Sequence, residues 1–345
     1  MTSVDTVQRS RTVLLRVAGV IEETADARSL VFDVSGHDFS YKPGQFLTLR
    51  IPSERTGSVA RCYSLASSPH IDSDPMVTIK RTHDGYGSNW LCDNVSVGDT
   101  IEVLPPSGVF TPASLDRDFL LFAAGSGITP VMSILKSALA QGSGRVVLIY
   151  ANRDAAAVIF ADELRRLAAE HPHRLAVVHW LESLQGLPTV EQLTALAAPF
   201  SDSDAFVCGP GPFMDIARQA LGVAGVPRDR IHAEVFTSLA GDPFRPVVLA
   251  ECDSADAASV DVELDGEVHS LQWPRKQTLV DLMLAKGIDV PYSCQEGECG
   301  SCACTVVEGA VDMAPCEILD ADDLAAGYIL GCQARPATDR LKIRF

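Results

Sequence analysis

The chain has 345 residues, a net charge of -17 and ten cysteines. This length predicts two or three domains with sizeable cores. The acidic balance argues against nucleic acid or an anionic membrane surface as a partner, because both attract basic patches. No apolar run of about 18 residues and no signal-like N-terminus occurs. We therefore expect a cytoplasmic protein whose thiols stay reduced, which makes disulfides the weakest explanation of the cysteines.

Residues 1–115 are predicted to form an antiparallel β-barrel. Short alternating runs such as SLVFDV, QFLTLRI, MVTIKR and TIEVL are separated by Gly, Pro and Asp, a pattern typical of all-β domains. One strand, RCYSLASSP, carries Arg61, Tyr63 and Ser64. A guanidinium can bind a phosphate, a phenol ring can stack on a flat heterocycle, and a hydroxyl can donate to a ring nitrogen. The same residues also fit an ordinary polar strand.

The segment KRTHDGYGSNWL supplies a second motif in this region. A strand is predicted to end near Lys80, Gly85 and Gly87 to form a turn, and Ser88 or Asn89 to cap a short helix. A glycine turn that opens a helix can bind pyrophosphate, because free N–H groups and the helix dipole face the anion. An ordinary capped loop would have the same sequence.

Residues 116–237 are predicted to form a doubly wound α/β unit with a parallel sheet. Five apolar strands alternate with four helical segments; the strands are FLLFAA, RVVLIYA, RLAVVHW, DAFVCG and IHAEVF. Glycine turns follow the first and fourth strands, in FAAGSGITPV and CGPGPFM. Thr129 is predicted to cap the helix after the first turn, with Pro130 in its first position. Two such turns at one sheet edge predict a crevice for a phosphate-bearing ligand.

Residues 238–258 are predicted to be a linker, and residues 259–345 a smaller unit with a hairpin turn at Asp265 and Gly266. A helix is expected near 278–286, followed by a cysteine-rich loop. This last region holds 15 acidic and 7 basic residues. That excess serves either solubility or the docking of a basic partner.

The cysteine loop has the most specific spacing in the chain. Cys294, Cys299 and Cys302 fit C-x4-C-x2-C, and Cys332 follows in ILGCQA, the spacing of plant-type [2Fe–2S] proteins. Zinc ribbons use two C-x2-C pairs, and the sequence has no second pair. Cys304 is predicted to begin a strand as a small buried residue. The other five cysteines are predicted to be buried or idle thiols, with Cys208 the one exception considered: Cys62, Cys92, Cys208, Cys252 and Cys316.

Together these motifs resemble the ferredoxin–NADP reductase-like flavoproteins that carry a C-terminal plant-type ferredoxin domain. The resemblance covers essentially the whole chain, and the motifs occur in the order typical of that family. It implies an FAD-binding barrel, an NAD-binding α/β domain and an α+β domain of the β-grasp type. The implied cofactors are FAD, NADH and a [2Fe–2S] cluster.

The resemblance also implies a role for each matching position. Arg61 would bind a flavin phosphate, Tyr63 would stack on the flavin and Ser64 would face its N5. The remaining implied positions are Gly87 and Ser88 at the pyrophosphate, Lys80 near the FAD, Gly125, Gly127, Thr129, Cys208, Gly209 and Pro210 at the nucleotide, Glu234 and Phe236 beside the nicotinamide and flavin rings, and Cys294, Cys299, Cys302 and Cys332 at the cluster. Ser64, Glu234 and Phe236 are the implied catalytic residues.

The implied function is electron transfer from NADH to flavin, from flavin to cluster, and from cluster to a terminal oxygenase of the Rieske type. NADH is expected rather than NADPH, because the segment YANRD after the second parallel strand has one basic residue, Arg153. A reductase for another acceptor, such as a di-iron monooxygenase or an epoxidase acting on an acyl-coenzyme A, would share every motif. A non-enzymatic redox sensor or binding module is the third class considered.

Overall fold

The computed structural model describes residues 12–245 and 257–345, apart from Glu317 and Asp320. The predicted linker 238–258 therefore lies partly outside the described residues, as does Cys252. The described chain forms three main sheets, one in each predicted region. No helix in this described part has the length and apolar character needed to cross a bilayer.

The first sheet is a six-stranded antiparallel barrel, as the alternating runs predict. Its strand order is β4-β3-β6-β1-β2-β5, and a bridge between Leu65 and Val77 joins the two edges. Alternate side chains point inward because successive residues of a strand face opposite sides, and they form one apolar core. The elements are β1 (Val13–Thr24), β2 (Ala27–Asp33), β3 (Phe46–Ser53), β4 (Gly57–Ser64), β5 (Met76–Lys80), α1 (Tyr86–Asn94) and β6 (Thr100–Val103).

The second sheet is parallel throughout, with the order β11-β10-β7-β8-β9. Helices cover both faces, so every residue of β7 and β8 is buried and an apolar core lies on each side. Its elements are β7 (Phe119–Ala124), α2 (Ile128–Gln141), β8 (Val146–Asn152), α3 (Ala161–Glu170), β9 (Leu175–Leu181), α4 (Glu182–Gln185), α5 (Val190–Ala197), β10 (Asp204–Cys208), α6 (Gly211–Val223) and β11 (Ile231–Glu234).

The third unit combines a five-stranded sheet, ordered β13-β12-β18-β14-β16, with a two-stranded one. The predicted hairpin turn is present, and Asp265 and Gly266 have φ values of 52° and 82°, as a tight type I′ turn requires. Its elements are β12 (Ala257–Leu264), β13 (Glu267–Pro274), α7 (Leu279–Ala285), β14 (Ala303–Glu308), β15 (Val311–Asp312), α8 (Ala321–Ala325), β16 (Tyr328–Leu330), β17 (Arg335–Pro336) and β18 (Arg340–Arg344).

The N-cap predicted for the helix in the barrel region is wrong by three to four residues. Helix α1 begins at Tyr86 with Gly85 as its N-cap, so Ser88 and Asn89 lie inside the helix. The Ser88 hydroxyl accepts a hydrogen bond from the Thr82 amide at 3.0 Å, and the Asn89 amide donates to the Thr82 carbonyl at 3.1 Å. Both side chains therefore tie the helix to the preceding strand end instead of capping it.

The capping prediction for Thr129 is also wrong. A short 3-10 turn, Gly125–Gly127, leads directly into α2, and Gly127 occupies the N-cap position. Thr129 lies within the first turn of α2, where its hydroxyl donates to the Ser126 carbonyl at 2.7 Å. Pro130 consequently lies deeper than N1 but still in the first turn, where proline is tolerated.

Candidate active site

A cavity of about 990 Å³ lies where the three units meet. The barrel contributes Ser64 at the end of β4, and the parallel sheet contributes Glu234 and Phe236. Cys294 and Cys299 of the cysteine loop line the same space. The structure thus brings together predicted site residues from all three regions, around a cavity large enough for a flat heterocyclic ligand.

Ser64 and Glu234 form the polar centre of this cavity. The Ser64 hydroxyl lies 3.5 Å from Oε2 of Glu234, across the junction of the barrel and the parallel sheet. Although Glu234 as a residue is half-buried, its carboxyl group is enclosed by protein, and this burial raises its pKa to about 8. At neutral pH the pair therefore offers a hydroxyl and a protonated carboxyl, both able to donate a hydrogen bond.

Phe236 lies beyond the strand that was predicted to contain it. Strand β11 ends at Glu234, and the Phe236 side chain is 47% exposed. An exposed aromatic ring at the rim of a cavity is available to cover a flat ligand.

Arg61 crosses the first turn of α1 at Gly87. A Cβ at Gly87 would lie 2.8 Å from Cγ of Arg61, so a side chain at this position would displace the arginine. Ser88 is the next residue of the helix and is buried. A guanidinium beside the free N–H groups of a helix start suits a phosphate group. Tyr63 packs on the barrel core, and burial raises the pKa of its phenol, so the ring stays neutral.

The two glycine turns of the parallel sheet touch each other. A Cβ at Gly127 would lie 2.1 Å from the carbonyl oxygen of Cys208, and one at Gly209 would lie 2.9 Å from Cβ of Ala124. Only glycine permits this approach, which holds both helix starts at one edge of the sheet. Pro210 is the N-cap residue of α6.

Cys208 is fully buried, and this burial raises the pKa of its thiol well above the ordinary value. It is therefore a small neutral residue at the end of β10. Lys80 reaches the other glycine turn from the barrel, with Nζ 3.8 Å from the position that a Cβ of Gly125 would occupy. Lys80 thus lies at the junction of the barrel and the parallel sheet.

The four cysteines of the predicted cluster spacing lie together and are buried. Hydrogen bonds link the thiol of Cys294 to those of Cys299 and Cys332, and the thiol of Cys332 to that of Cys302; they lower the pKa of Cys294 and Cys302 and raise that of Cys299 and Cys332. Backbone N–H groups also donate to these sulfurs: that of Glu296 to Cys294 and that of Cys332 to Cys302, both at 3.4 Å. Such donors stabilise thiolates bound to iron.

The loop closes around these sulfurs because two of its glycines have left-handed backbone angles. Gly297 has a φ of 82° and Gly300 a φ of 71°, values that favour glycine. Cys304 is buried in the core of the third unit, at the start of β14 as predicted.

A two-iron cluster fits this arrangement better than a single metal ion. Within the described residues, no three His, Cys, Asp or Glu side chains are placed to hold one ion. A mononuclear zinc site needs four ligands around one point. In a [2Fe–2S] cluster two irons divide four thiolates between them, and the four neighbouring thiols meet that requirement.

Cys62 is the site residue that the sequence analysis missed. It lines the cavity together with Ser64 and Cys294, and burial raises its pKa to about 12, so it is a neutral thiol. The signal was available, because alternation along β4 places Cys62 on the same face as Ser64. It was overlooked because nothing in the sequence shows that this face meets the cysteine loop.

Three family descriptions match consecutive parts of the chain. They are an oxidoreductase FAD-binding domain over residues 15–111, an oxidoreductase NAD-binding domain over residues 121–219, and a 2Fe-2S iron-sulfur cluster binding domain over residues 262–337. Their order agrees with the three units of the fold.

The chain is also similar to described proteins over nearly its full length. The chain is 70% identical over 351 residues to the ferredoxin reductase component of 3-ketosteroid-9-alpha-monooxygenase from Rhodococcus rhodochrous, covering 100% of both chains. It is 33% identical to one of the subunits of 1,2-phenylacetyl-CoA epoxidase from Escherichia coli, covering 96% of this chain and 97% of the other. Phthalate dioxygenase reductase has the same fold, with a TM-score of 0.57, 24% identity and coverage of 97% and 98%.

We predict that Gly127→Ala impairs reduction of the protein by NADH about tenfold or more, because the added methyl group collides with Cys208 and displaces the first glycine turn. Stopped-flow measurement of flavin bleaching checks this. Reduction by dithionite, which needs no nucleotide site, should not change. The control is Gly19→Ala, whose methyl group would lie 3.5 Å from Val31, an ordinary van der Waals contact. Unaltered NADH kinetics in Gly127→Ala would contradict the prediction.

A second prediction concerns Glu234, whose pKa is raised from 4.5 to about 8. Between these pH values the folded state retains a proton that the unfolded state has lost. The free energy of unfolding should therefore decrease as pH rises through this window, by up to about 1.4 kcal/mol per pH unit. Denaturation of wild type and of Glu234→Gln from pH 4 to 9 measures how the free energy of unfolding depends on pH. The decrease caused by Glu234 should be absent from the variant. Parallel curves would show that Glu234 titrates normally.

Proposed function

Because the chain belongs to the family of FAD- and NAD-binding oxygenase reductases with a C-terminal [2Fe–2S] domain, we propose that it serves a Rieske-type oxygenase that hydroxylates a 3-ketosteroid. The supporting observation is 70% identity along the whole length of a relative named as the reductase component of a 3-ketosteroid-9-alpha-monooxygenase. The segments YKPGQFLTLRIPSERTGSVARCYSL and EVFTSLAGDPF carry the same resemblance to the reductase component of 3-ketosteroid 9α-hydroxylase.

In this proposal FAD and the [2Fe–2S] cluster, when bound, would pass the two electrons of NADH to the oxygenase one at a time. Arg61, Gly87 and Ser88 hold the phosphate groups of FAD, and Tyr63 supports the flavin ring on the barrel. Ser64 would face N5 of the flavin and orient the ring, and its neighbour Glu234 would hold a proton close to Ser64.

The glycine turns orient the nucleotide. Gly125, Gly127 and Thr129 on one side, and Cys208, Gly209 and Pro210 on the other, direct the starts of α2 and α6 at its phosphates. Phe236 covers the cavity and excludes water from it. Lys80 lies between the barrel and the first turn, near the FAD.

NADH is the proposed donor, and the surroundings of Arg153 support this. Its guanidinium lies 3.3 Å from Oδ2 of Asp26, which is also 3.8 Å from Nζ of Lys80. A basic residue already paired with a carboxylate is a poor site for a 2′-phosphate, because the acid repels it. Steady-state kinetics with both nucleotides decide the point, and a preference for NADPH would refute it.

The proposed ligands of the cluster are Cys294, Cys299, Cys302 and Cys332. We predict that Cys299→Ser loses cluster-dependent reduction of cytochrome c but keeps NADH-dependent reduction of ferricyanide within about twofold, since the variant changes none of the residues proposed to bind FAD or the nucleotide. Cys316→Ser is the control, because Cys316 is half-buried and lies outside the spacing. Equal loss of both activities in Cys299→Ser would contradict the proposed order of electron transfer.

A di-iron epoxidase or monooxygenase is the second candidate for the partner, because a 33% identical relative is a subunit of an acyl-coenzyme A epoxidase. Reconstitution distinguishes the two. The protein is mixed with a Rieske-type 3-ketosteroid oxygenase or with a di-iron epoxidase, and NADH consumption is compared with product formation. Coupled hydroxylation of the steroid with the first enzyme is expected; coupled turnover only with the second would overturn the proposal.

A further inference from the structure

The cysteine loop is joined to the barrel by a pair of buried hydroxyl groups. Oγ1 of Thr48, in β3, lies 2.8 Å from Oγ of Ser293, the residue before Cys294. Their relative exposures are 0% and 1%. The hydrogen bond therefore joins two units that are far apart in sequence, at the residue next to a proposed cluster ligand.

Both hydroxyl groups are buried, and apolar contacts join the cysteine loop to the barrel close to this pair. Phe46, Ala60 and Leu239 form one buried cluster with Cys294 and Cys299. On the far side of the loop, a Cβ at Gly300 would lie 2.8 Å from Cγ1 of Val109 in the barrel region. A hydroxyl left without its partner in such surroundings is costly, because it cannot bond to water instead.

The segment 239–245 ties the same two units together from one side. Ser58 in the barrel donates to Oδ2 of Asp242 at 2.5 Å, and the amide of Gly241 donates to Oε1 of Glu296 in the cysteine loop, also at 2.5 Å. The segment thus bonds to the barrel and to the loop within two consecutive residues. Thr48 and Ser293 complete this attachment on the buried side.

The same face of the barrel carries Cys62 and Ser64, the residue proposed to face N5 of the flavin, and we call it the flavin face. Cys62 is the cross-strand neighbour of Thr48, with its sulfur 3.4 Å from Oγ1 of Thr48. Ser64 lies two residues further along β4, on the same face. Ser64, Cys62 and Cys294 line one cavity, and the Thr48–Ser293 contact joins the neighbours of two of them, Cys62 and Cys294.

We propose that Thr48 and Ser293 are positioning residues that hold the cluster loop on the flavin face of the barrel and so set the rate of electron transfer between the two cofactors. The effect on electron transfer rests on the proposed function. The claim that the hydroxyl pair holds the cysteine loop on the barrel does not depend on it. Losing the hydrogen bond should make opening of the contact about tenfold more frequent, which corresponds to about 1.4 kcal/mol.

The test compares Thr48→Val, which removes the hydroxyl at nearly constant volume, with Thr48→Ser, which keeps it. Hydrogen–deuterium exchange of the holoprotein is followed in the peptide 290–296, and stopped-flow absorbance follows flavin and cluster reduction by NADH separately. The matched control is Thr78→Val: Thr78 and Ser29 form a buried cross-strand hydroxyl pair of 2.7 Å between β5 and β2 of the barrel.

In Thr48→Val we expect exchange in 290–296 to be about tenfold faster, cluster reduction to be slower and flavin reduction to be unaltered. Thr48→Ser should restore both, and Thr78→Val should leave this peptide unaffected. Equal exchange in Thr48→Val and wild type would overturn the inference. Equal effects of Thr48→Val and Thr78→Val on the peptide 290–296 would also overturn it. So would faster exchange in Thr48→Val without slower reduction of the cluster. If NADH never reduces the cluster of the wild-type holoprotein, the proposed function and the proposed effect on electron transfer are both refuted. The exchange data would still show whether Thr48 and Ser293 hold the cysteine loop on the barrel.

Discussion

The arrangement of the site depends on the two faces of the hairpin β3–β4. Inward side chains fill the barrel core, while Thr48, Cys62 and Ser64 point outward toward the other two units. This outer face is where the parallel sheet delivers Glu234 and the third unit delivers its cysteine loop. A slip of one residue in the pairing of β3 with β4 would turn these side chains into the core and remove the meeting point.

The junctions of the barrel with its two neighbours are built differently. The parallel sheet is joined to the barrel partly by charge: the buried amine of Lys136 in α2 lies 2.7 Å from Asp72 of the barrel. The cysteine loop is joined to the barrel by the hydroxyl pair of Thr48 and Ser293, by apolar contacts, and through the segment 239–245 by two carboxylates, those of Asp242 and Glu296.

Glycine has two separate functions in this chain. At Gly127 and Gly209 it allows two strand-to-helix turns to touch, so that both helix starts face one crevice. At Gly297 and Gly300 it supplies left-handed backbone angles that bend the loop around four sulfurs. In both places a side chain would be excluded, by collision in the first case and by backbone strain in the second.

The sequence by itself determined the three units, their strands and the cluster spacing, because periodicity, turn chemistry and cysteine spacing are local properties. It misplaced the starts of α1 and α2, since the hydroxyls of Ser88 and Thr129 bond to backbone groups of the preceding turn instead of capping. Only the tertiary structure decided that Cys62 lines the cavity and that Thr48 meets Ser293. Those contacts join residues up to 245 positions apart, and no local pattern encodes which outer faces will be buried against each other.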